Sequence, residues 1–437
     1  MRYFQIVTFG CKVNQYDSAG LAEALGRQGL VRAPRHAAPD LVVVNTCTVT
    51  ARADQQARQI IRRLARQFPE AQIWVTGCYA QRAPDQLAAL PGVAQVFGNP
   101  EKARLPEIFS PEANPAPKVN VQGFAGQEPF PVCRVSHFPG HTRAWLKIQE
   151  GCNHACAYCI VPTVRGRGRS LDVDRVVSSL ESLAARGFQE VVLTGIDLGQ
   201  YGQDLQPRTS LARLFLHLAP AAWPFRVRLS SLEPQEITSE LLDALSDFSP
   251  LCPHFHLPLQ SGSPAVLQAM GRPYSPEYFR EVVLELHQRF PGAALGLDVL
   301  VGFPGETTSD FEATLTLVQA LPVAYLHVFP FSPRPGTRAH ALPRLSGREV
   351  QPRAQCMREL GQAKKTSFYQ DQIGKVGEVL VEGSYPGRPG WLKGLSANYL
   401  RVLLPGPAAW QNQRLMVRFV GFEEGMLRGK VITLEPK

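Results

Sequence analysis

Short apolar segments and amphipathic segments alternate through the first hundred residues, and this alternation restricts the chain to few folds. The short segments have the length and composition of strands and are Arg2–Thr8, Leu41–Asn45 and Gln72–Thr76. The amphipathic segments have helical spacing and are Asp17–Arg27, with Asp17 and Ser18 as available caps, Ala51–Gln67 and Pro84–Leu90. This βαβαβα order predicts a parallel sheet with right-handed crossovers.

A cysteine follows each of the three predicted strands. Cys11, Cys47 and Cys78 all lie in turn-prone sequence just beyond a strand's carboxyl end. In an open parallel sheet these ends share one edge, where ligands bind. Three cysteines that are 36 and 31 positions apart in the sequence are therefore predicted to converge on one point.

A second alternating series follows a proline-rich break. Eight prolines fall between residues 100 and 140, which predicts a linker. Beyond the break, helical patterns such as Arg175–Arg186 and Pro276–Arg289 separate six strand-like segments, which fits a partial (β/α)6 barrel with its site at the strands' carboxyl ends. The six segments are Ala144–Gln149, Val191–Thr194, Arg226–Ser230, His254–Leu259, Leu295–Val301 and Tyr325–Phe331.

The last stretch, residues 372–437, has short strands and no clear helix. These strands are Gly377–Gly383, Tyr399–Leu404, Arg414–Phe422 and Leu427–Leu434. They predict a small antiparallel β-barrel, a shape often used to bind oligonucleotides. The chain is thus expected to be α/β overall, with units at 1–110, 111–137 (the linker), 138–368 and 371–437.

Composition narrows the classes of partner and location. The net charge of +9 suits an anionic partner such as RNA, although a preference for arginine over lysine explains it about equally well. No apolar run of about 18 residues occurs, and the start of the chain is a short alternating strand rather than a signal peptide. We therefore expect a cytoplasmic protein without a membrane span.

The strongest chemical signal is a C-x3-C-x2-C motif directly after a predicted strand. Its cysteines are Cys152, Cys156 and Cys159. Three thiolates this close can hold three irons of a 4Fe-4S cube and leave the fourth iron open for a substrate. The alternative is a structural zinc site, which needs a fourth ligand, and His154 is the nearby candidate at an awkward spacing.

The motif, with Tyr158 before its last cysteine, resembles the radical S-adenosylmethionine superfamily. The resemblance implies that the amino and carboxylate groups of S-adenosylmethionine chelate the open iron. One electron then cleaves the cofactor, and the resulting 5′-deoxyadenosyl radical abstracts hydrogen from an unactivated carbon. By this resemblance Cys152, Cys156 and Cys159 are the catalytic residues.

The sequences around Cys11, Cys47 and Cys78 resemble the three cysteine motifs of the methylthiotransferases within that superfamily. This resemblance covers the whole chain and implies a second 4Fe-4S cluster that carries the sulfur, an N-terminal three-layer α/β domain and a C-terminal TRAM domain. The sequence Lys12-Val13-Asn14 after Cys11 is closest to the branch that acts on threonylcarbamoyladenosine in tRNA.

The resemblance also assigns cofactor contacts to positions near strand ends. The expected cofactor-binding residues are Tyr158, Thr194, Gly195, Ser230, Glu233, Gln260, Asp298 and Arg165. Gln260 and Asp298 could equally form internal hydrogen bonds of the barrel. The loop of Arg165 could meet phosphates, the cofactor carboxylate or a sulfur anion, or it could be an exposed basic loop. Asp197 stands where many relatives have histidine, which leaves its role open.

Three cysteines remain: Cys133 in the linker, Cys252 and Cys356. Buried inert thiols are the common case for such residues. Cys252, His254 and His256 together allow a metal site, but core histidines at a barrel mouth explain them better.

The predicted reaction is 2-methylthiolation of threonylcarbamoyladenosine by two uses of S-adenosylmethionine. One molecule supplies the radical and a second donates a methyl group to the inserted sulfur. Expected partners are the tRNA anticodon stem-loop, a flavodoxin- or ferredoxin-type reductant and a sulfur donor, with a monomeric enzyme. The alternatives are the same chemistry on isopentenyladenosine or on a ribosomal-protein aspartate, and a non-enzymatic iron–sulfur redox sensor that binds RNA.

Overall fold

The computed structural model describes residues 2–34, 36–104, 119–126, 128–131, 135, 138 and 140–432. Cys133 and most of the predicted linker lie outside these residues, as does the end of the last predicted strand. No helix in the described part of the chain is long and apolar enough to cross a membrane.

The N-terminal unit is a six-stranded parallel sheet with helices on both faces. Its strand order is β2-β1-β3-β4-β5-β6. The strands are β1 Tyr3–Thr8, β2 Val31–Arg32, β3 Leu41–Thr46, β4 Gln72–Gly77, β5 Val93–Phe97 and β6 Val119–Asn120. The helices are α1 Lys12–Arg27, α2 Ala51–Gln67, α3 Cys78–Arg82 and α4 Pro84–Ala88. β6 comes from the segment that the sequence predicts as linker.

The central strands are apolar on both faces because both faces are covered. Val42 and Val44 of β3 pack with Ile61 of α2, whereas Val43 of β3 packs with Leu21 of α1. The predicted three-layer arrangement of this unit is therefore present.

Helix α1 begins five residues earlier than its apolar spacing predicts. Cys11 is its N-cap residue and gives no side-chain cap. Asp17, which the sequence suggested as a cap, is instead buried in the second turn of the helix. The prediction of the helix start was wrong because the first turn has a single apolar residue, the buried Val13, so no apolar stripe marks it.

The central unit is the predicted partial barrel, built as two parallel sheets of three strands. The sheet orders are β11-β10-β7 and β12-β13-β14, and β11 meets the second half through a bridge between Val227 and Leu251. The six barrel strands are β7 Arg143–Lys147, β10 Glu190–Thr194, β11 Arg226–Leu229, β12 His254–Gln260, β13 Ala294–Val301 and β14 Tyr325–Pro330. Two short strands, β8 Gln149–Glu150 and β9 Arg169–Ser170, form a separate antiparallel pair. The first and last barrel strands, β7 and β14, do not pair within the described residues.

Helices surround the barrel strands and cover their outer side chains. They are α5 Val161–Arg165, α6 Val173–Ala185, α7 Leu211–Leu218, α8 Ser239–Ser246, α9 Pro264–Met270, α10 Pro276–Arg289, α11 Thr308–Ala320 and α12 Gly347–Gln370. Along β12 the residues Phe255, Leu257 and Leu259 belong to this outer core. The alternate residues His254 and His256 therefore face the barrel interior.

The C-terminal unit is a closed five-stranded barrel in the order β15-β16-β17-β19-β18. Its strands are β15 Val376–Ser384, β16 Trp391–Ser396, β17 Arg401–Pro405, β18 Arg414–Glu423 and β19 Met426–Val431. Four of them match predicted strands. β16 was missed because glycine, lysine and serine interrupt its apolar pattern, and it is recognised only by pairing with both neighbours.

A buried ion cluster fastens this C-terminal barrel to the central one. Glu190 accepts from Arg228 Nε at 2.8 Å and from Arg226 at 2.8 Å. The same two guanidinium groups donate across the junction to the carbonyls of Leu395 and Ala397. The two arginines thus join the barrels, and Glu190 neutralises them.

Removal of the Glu190 charge should destabilise the protein. The variant Glu190→Gln leaves two buried guanidinium groups short of an acid, so we expect a loss of about 3 kcal/mol in unfolding free energy. The pKa of Glu190 is lowered because the two arginines outweigh its burial. The stability that the Glu190 carboxylate contributes is therefore complete above its unfolded pKa, near 4.5. This stability is lost as the pH falls below that value. Anaerobic urea unfolding tests this, with the exposed Glu181→Gln as the unchanged control.

Candidate active site

Three loops at one edge of the first sheet bring Cys11, Cys47 and Cys78 together. The strands before them end in register. Gly10 has φ of 90°, and a Cβ at this position would lie 2.8 Å from the Cβ of Cys47. The absence of a side chain therefore lets the Cys11 loop close on Cys47. Gly77, with φ of 95°, turns the chain directly from β4 into α3, which begins at Cys78.

Two asparagines lock these loops to one another. Asn14 Nδ2 donates to the carbonyls of Phe9 at 2.7 Å and Thr46 at 3.0 Å. Asn45 Nδ2 donates in turn to the carbonyl of Asn14 at 3.0 Å. Both side chains are buried, so the loops have little freedom to separate. The sequence motifs contain these residues but give no sign of this positioning role.

The environment of the first thiol triplet suits a positively charged ligand such as a metal ion. Burial, and then the charge of Cys78, raise the pKa of Cys47 to about 12. Cys11 is exposed to solvent, and the positive charge of Arg165 lies near its thiol. A thiol bound to a metal ion loses its proton outright. The donor set therefore fits an iron–sulfur cluster.

Arg165, expected as a cofactor ligand, lies against this first triplet. Its Nε donates to Cys78 Sγ at 3.2 Å, and its Nη2 donates to Asn14 Oδ1. Its Nη1 binds Glu150 at 3.0 Å and Asp17 at 3.2 Å. Arg165 is fully enclosed and its donors are used by the protein, so it does not form an exposed basic loop. It contacts the thiol of Cys78, a partner that the sequence analysis did not name.

A buried network of charges joins the N-terminal sheet to the central barrel around Arg165. Asp17 of α1 accepts from Lys147 of β7 at 2.7 Å and from Lys102 at 2.9 Å. Lys147 also pairs with Glu150 at 2.8 Å. The lysines and Arg165 hold the pKa of Asp17 far below its usual range despite its burial. This network fixes α1, and with it the Cys11 loop, against the top of the barrel.

The second triplet lies in the loop after β8. The turn that contains Cys156 and Cys159 is closed by a hydrogen bond between their backbones at 3.2 Å. The Ala157 N–H donates to the carbonyl of Met270 at 2.8 Å, which ties the loop to the end of α9. Burial raises the pKa of Cys159 to about 12, and it also raises the pKa of Cys152. Three thiols in one loop are also a donor set that fits an iron–sulfur cluster.

Arg272 is a residue of this site that the sequence analysis missed. Its guanidinium donates to Cys156 Sγ at 3.3 Å and to the Glu233 carboxylate. It also lies close to Tyr158, whose pKa is raised by burial. Arg272 therefore links one thiol of the second triplet to two of the expected cofactor-binding residues. Nothing in its local sequence marks it, because its partners are far away along the chain.

Asp197 contacts the second triplet directly. Its Oδ2 lies 3.4 Å from Cys152 Sγ and 3.2 Å from His154 Nε2. Burial, and then Glu236, raise the pKa of Asp197 to about 8. Ligand atoms of Cys152, His154 and Asp197 lie within 4.8 Å of one another. That set could hold a metal ion, but it omits two of the three cysteines and so differs from a thiolate-rich structural zinc site.

Three expected cofactor-binding residues meet at the ends of β10 and β11. Thr194 is the last residue of β10, and the N–H of the following Gly195 donates to Ser230 Oγ at 3.4 Å. A Cβ at Gly195 would lie 2.9 Å from Gln149, so only glycine allows this approach. Gln260 ends β12 in the left-handed region with φ of 64°, at a register shift of that strand.

Asp298 lies inside the barrel between two histidines and forms its hydrogen bond with His327. It is 3.2 Å from His256 Nε2 and 3.2 Å from His327 Nδ1, and His256 Nδ1 pairs with Ser231 at 2.8 Å. Burial opposes its ionisation, but the two histidines lower the pKa of Asp298 to about 2. The internal hydrogen bond that the sequence left open is therefore present.

The remaining cysteines form no site with His254 or His256 in the described part of the chain. Cys252 is fully buried and His254 pairs with Tyr325 Oη at 2.8 Å. Among the described residues, the possible metal-ligand atom of His256 lies near that of Asp298 and not near Cys252. Cys356 packs against the central core from α12.

The two thiol triplets lie next to each other. Cys78 packs with Ile160, the residue after Cys159, and with Val164. Asn99 Nδ2 bridges the same gap, because it donates to the Val164 carbonyl at 2.6 Å and lies 3.9 Å from Cys78 Sγ. Reagents held by the two triplets would therefore face one space between the N-terminal sheet and the barrel.

Comparisons with known proteins agree with this arrangement. A family model described as "Uncharacterized protein family UPF0004" matches residues 3–98, and the Radical SAM superfamily model matches residues 146–318. Among solved structures, the radical S-adenosylmethionine methyltransferase TsrM from Kitasatospora setae aligns with a TM-score of 0.58 at 18% identity. The alignment covers 78% of this chain and 77% of that one, and it supports the fold alone.

Curated relatives match over nearly the whole length. The threonylcarbamoyladenosine tRNA methylthiotransferase MtaB of Aquifex aeolicus is 39% identical over 86% of this chain and 91% of its own. The MtaB protein of Thermotoga maritima is 33% identical over 100% and 99%. The tRNA-2-methylthio-N(6)-dimethylallyladenosine synthase of Pelotomaculum thermopropionicum is 32% identical over 98% and 97%. The chain belongs to the radical S-adenosylmethionine methylthiotransferase family.

Proposed function

We propose that this enzyme converts N6-threonylcarbamoyladenosine beside the anticodon of tRNA into its 2-methylthio derivative. The observation that carries the proposal is the packing of Cys78 on Ile160, which makes two separate thiol triplets neighbours. Relatives named for this substrate, at 33% and 39% identity over most of the chain, support the choice of nucleotide.

Each triplet would hold one 4Fe-4S cluster, two in all. When bound, these groups supply one-electron cleavage of S-adenosylmethionine and the sulfur that is transferred. The residues of the chain hold and orient them: Arg165 donates to Cys78, and Arg272 donates to Cys156. Each guanidinium group would donate a charge-assisted hydrogen bond to the cluster-bound sulfur that it contacts.

The walls of the second site supply polar groups for S-adenosylmethionine. Glu233 and Asp197 face the space beside the triplet, where they could accept from an ammonium or a ribose hydroxyl. Asp197 Oδ1 is buried without a hydrogen-bond partner among the described residues, as expected for a group that awaits a ligand. The expected contacts of Tyr158, Thr194, Gly195, Ser230, Gln260 and Asp298 belong to the same proposal.

The C-terminal barrel would act as a TRAM domain that holds the anticodon stem-loop through its phosphates. A flavodoxin- or ferredoxin-type reductant and a separate sulfur donor complete the proposed partners of a monomeric, cytoplasmic enzyme. The unit boundaries at 1–110, 111–137, 138–368 and 371–437 are part of this proposal.

Nucleoside analysis of tRNA from a strain that lacks the gene tests the proposal. We expect 2-methylthio-N6-threonylcarbamoyladenosine to disappear and to return with the wild-type gene. Mass spectrometry of digested tRNA measures both. Loss of the methylthio derivative of dimethylallyladenosine instead would assign the other tRNA substrate. Unchanged tRNA would contradict the proposal.

A further inference from the structure

Three side chains on neighbouring strands bring possible metal ligands together inside the central barrel. They are His256 of β12, Asp298 of β13 and His327 of β14, and we call them the histidine–aspartate group. The possible ligand atoms of the three residues all lie within 4.8 Å of one another. Two imidazoles and one carboxylate form a ligand set that binds divalent first-row metal ions such as Zn²⁺.

Strand alternation explains why these three side chains share the barrel interior. Leu297 of β13 lies in the outer core, and Leu326 of β14 packs against that core. Asp298 and His327 follow these leucines directly and therefore point to the opposite face, as His256 does on β12. Asp298 also lies beside His327 in the register of the two strands. The fold thus places the three ligands on one inner wall.

The distances within the group match those between ligands of one ion. Asp298 Oδ1 lies 3.2 Å from His256 Nε2 and 3.2 Å from His327 Nδ1. Zn²⁺ holds nitrogen and oxygen ligands at about 2.0–2.1 Å, so two of its tetrahedral ligands are about 3.3 Å apart. The carboxylate is therefore already at the required distance from both imidazoles.

The ring of His256 is held as metal-bound histidines are. Its side chain is only 10% exposed, and its Nε2 makes no hydrogen bond with any described residue. The other ring nitrogen, Nδ1, pairs with Ser231 Oγ at 2.8 Å. Metal-bound histidines usually donate the second ring N–H to such a partner, which leaves the lone pair on the nitrogen that binds the ion. A metal ion would thus give the buried Nε2 the partner that buried polar atoms require.

The group is reached from a cavity of about 820 Å³ between the central and C-terminal barrels. His327 lines this cavity, and its side chain is 54% exposed. Exposure then falls to 23% at Asp298 and to 10% at His256. An ion can therefore enter past His327 and bind against the more enclosed ligands. Because the group supplies three ligands, a tetrahedral ion would keep one position for water or another oxygen ligand.

We propose that His256, Asp298 and His327 bind one divalent first-row metal ion, separate from both thiol triplets and with one coordination position left for an oxygen ligand. The inference goes beyond the proposed function and does not depend on the substrate. It uses Oδ1 of Asp298, so the second oxygen remains for the cofactor contact expected of that residue.

Zinc analysis of the anaerobic, cluster-loaded enzyme tests this assignment. The protein is dialysed against Zn²⁺, and zinc and iron are counted in the same sample by elemental mass spectrometry. We expect the wild type to bind one zinc ion per chain more than Asp298→Asn or His327→Ala, with equal iron in all three. Replacement of the half-exposed His327 should leave the fold intact. His287→Ala, at an exposed histidine of α10, is the matched control and should keep the zinc.

X-ray absorption at the zinc edge identifies the ligands of that ion. Nitrogen and oxygen neighbours at about 2.0–2.1 Å are expected, whereas sulfur at about 2.3 Å would place the zinc on cysteines and overturn the inference. Ser231→Ala should weaken zinc binding by about 10- to 100-fold, as loss of a partner of a metal ligand does. The inference is also wrong if the wild type gains no zinc, or if Asp298→Asn and His327→Ala both keep it. None of these outcomes changes the tRNA nucleosides by which the proposed function is judged.

Discussion

Replacement of Cys78 by alanine is expected to abolish methylthiolation while 5′-deoxyadenosine is still formed from S-adenosylmethionine. Cys78 belongs to the first triplet, whereas in the proposed function the cofactor is cleaved at the triplet of Cys152, Cys156 and Cys159. Cys156→Ala should therefore lose both products. Anaerobic assays with dithionite and quantification of both products by mass spectrometry measure the two yields separately.

Cys356→Ala is the matched control for this pair, since Cys356 packs on the outside of the barrel and should keep both products. Parallel loss of 5′-deoxyadenosine in Cys78→Ala and Cys156→Ala, with folded protein in both, would contradict separate roles for the triplets. Full methylthiolation by Cys78→Ala would show that the first triplet takes no part in the reaction.

Replacement of the two arginines that contact the thiols should separate methylthiolation from 5′-deoxyadenosine formation in the same way. Arg165→Met removes the donor to Cys78, and Arg272→Met removes the donor to Cys156. Partners of metal ligands typically contribute about 10- to 100-fold in affinity or activity. We expect Arg165→Met to lower methylthiolation by that factor with little change in 5′-deoxyadenosine, and Arg272→Met to lower both.

Redox titration followed by electron paramagnetic resonance gives a second measure of these variants. Loss of a positive charge beside a cluster should shift the potential of that cluster downward and leave the other unchanged. Arg167→Met, an exposed neighbour of Arg165, should alter neither. Equal shifts of both potentials in Arg165→Met would mean that Arg165 acts through the fold rather than on one triplet.

Periodicity was sufficient to predict the parts of the fold whose strands are continuous and apolar. Leu41–Thr46 is buried at every position, and its sequence predicts such a strand. The sequence could not predict β16, because Lys393 and Gly394 break its pattern and its stability comes from pairing with two neighbours. The start of α1 was missed for a related reason: its first turn has only one apolar residue, Val13, and so carries no apolar stripe.

The convergence of Cys11, Cys47 and Cys78 followed from strand topology, since parallel strands end at one edge. The charged residues that surround the cysteines could not be predicted from strand topology. Arg272 reaches Cys156 across 116 positions, and Asp17 reaches Lys147 across 130. Such contacts depend on how the units pack together, which local spacing does not encode. Arg165 stood in a recognised basic loop, but only the packing of α5 on α3 decides that it meets a thiol.

Iron and acid-labile sulfide counts on anaerobically reconstituted protein test the central claim most directly. Two thiol triplets that each hold a four-iron cluster predict about eight irons and eight sulfides per chain. The variants that lack either triplet should each retain about four. About four irons in the wild-type protein would contradict the account, because one triplet would then hold no cluster and could not supply sulfur to the other.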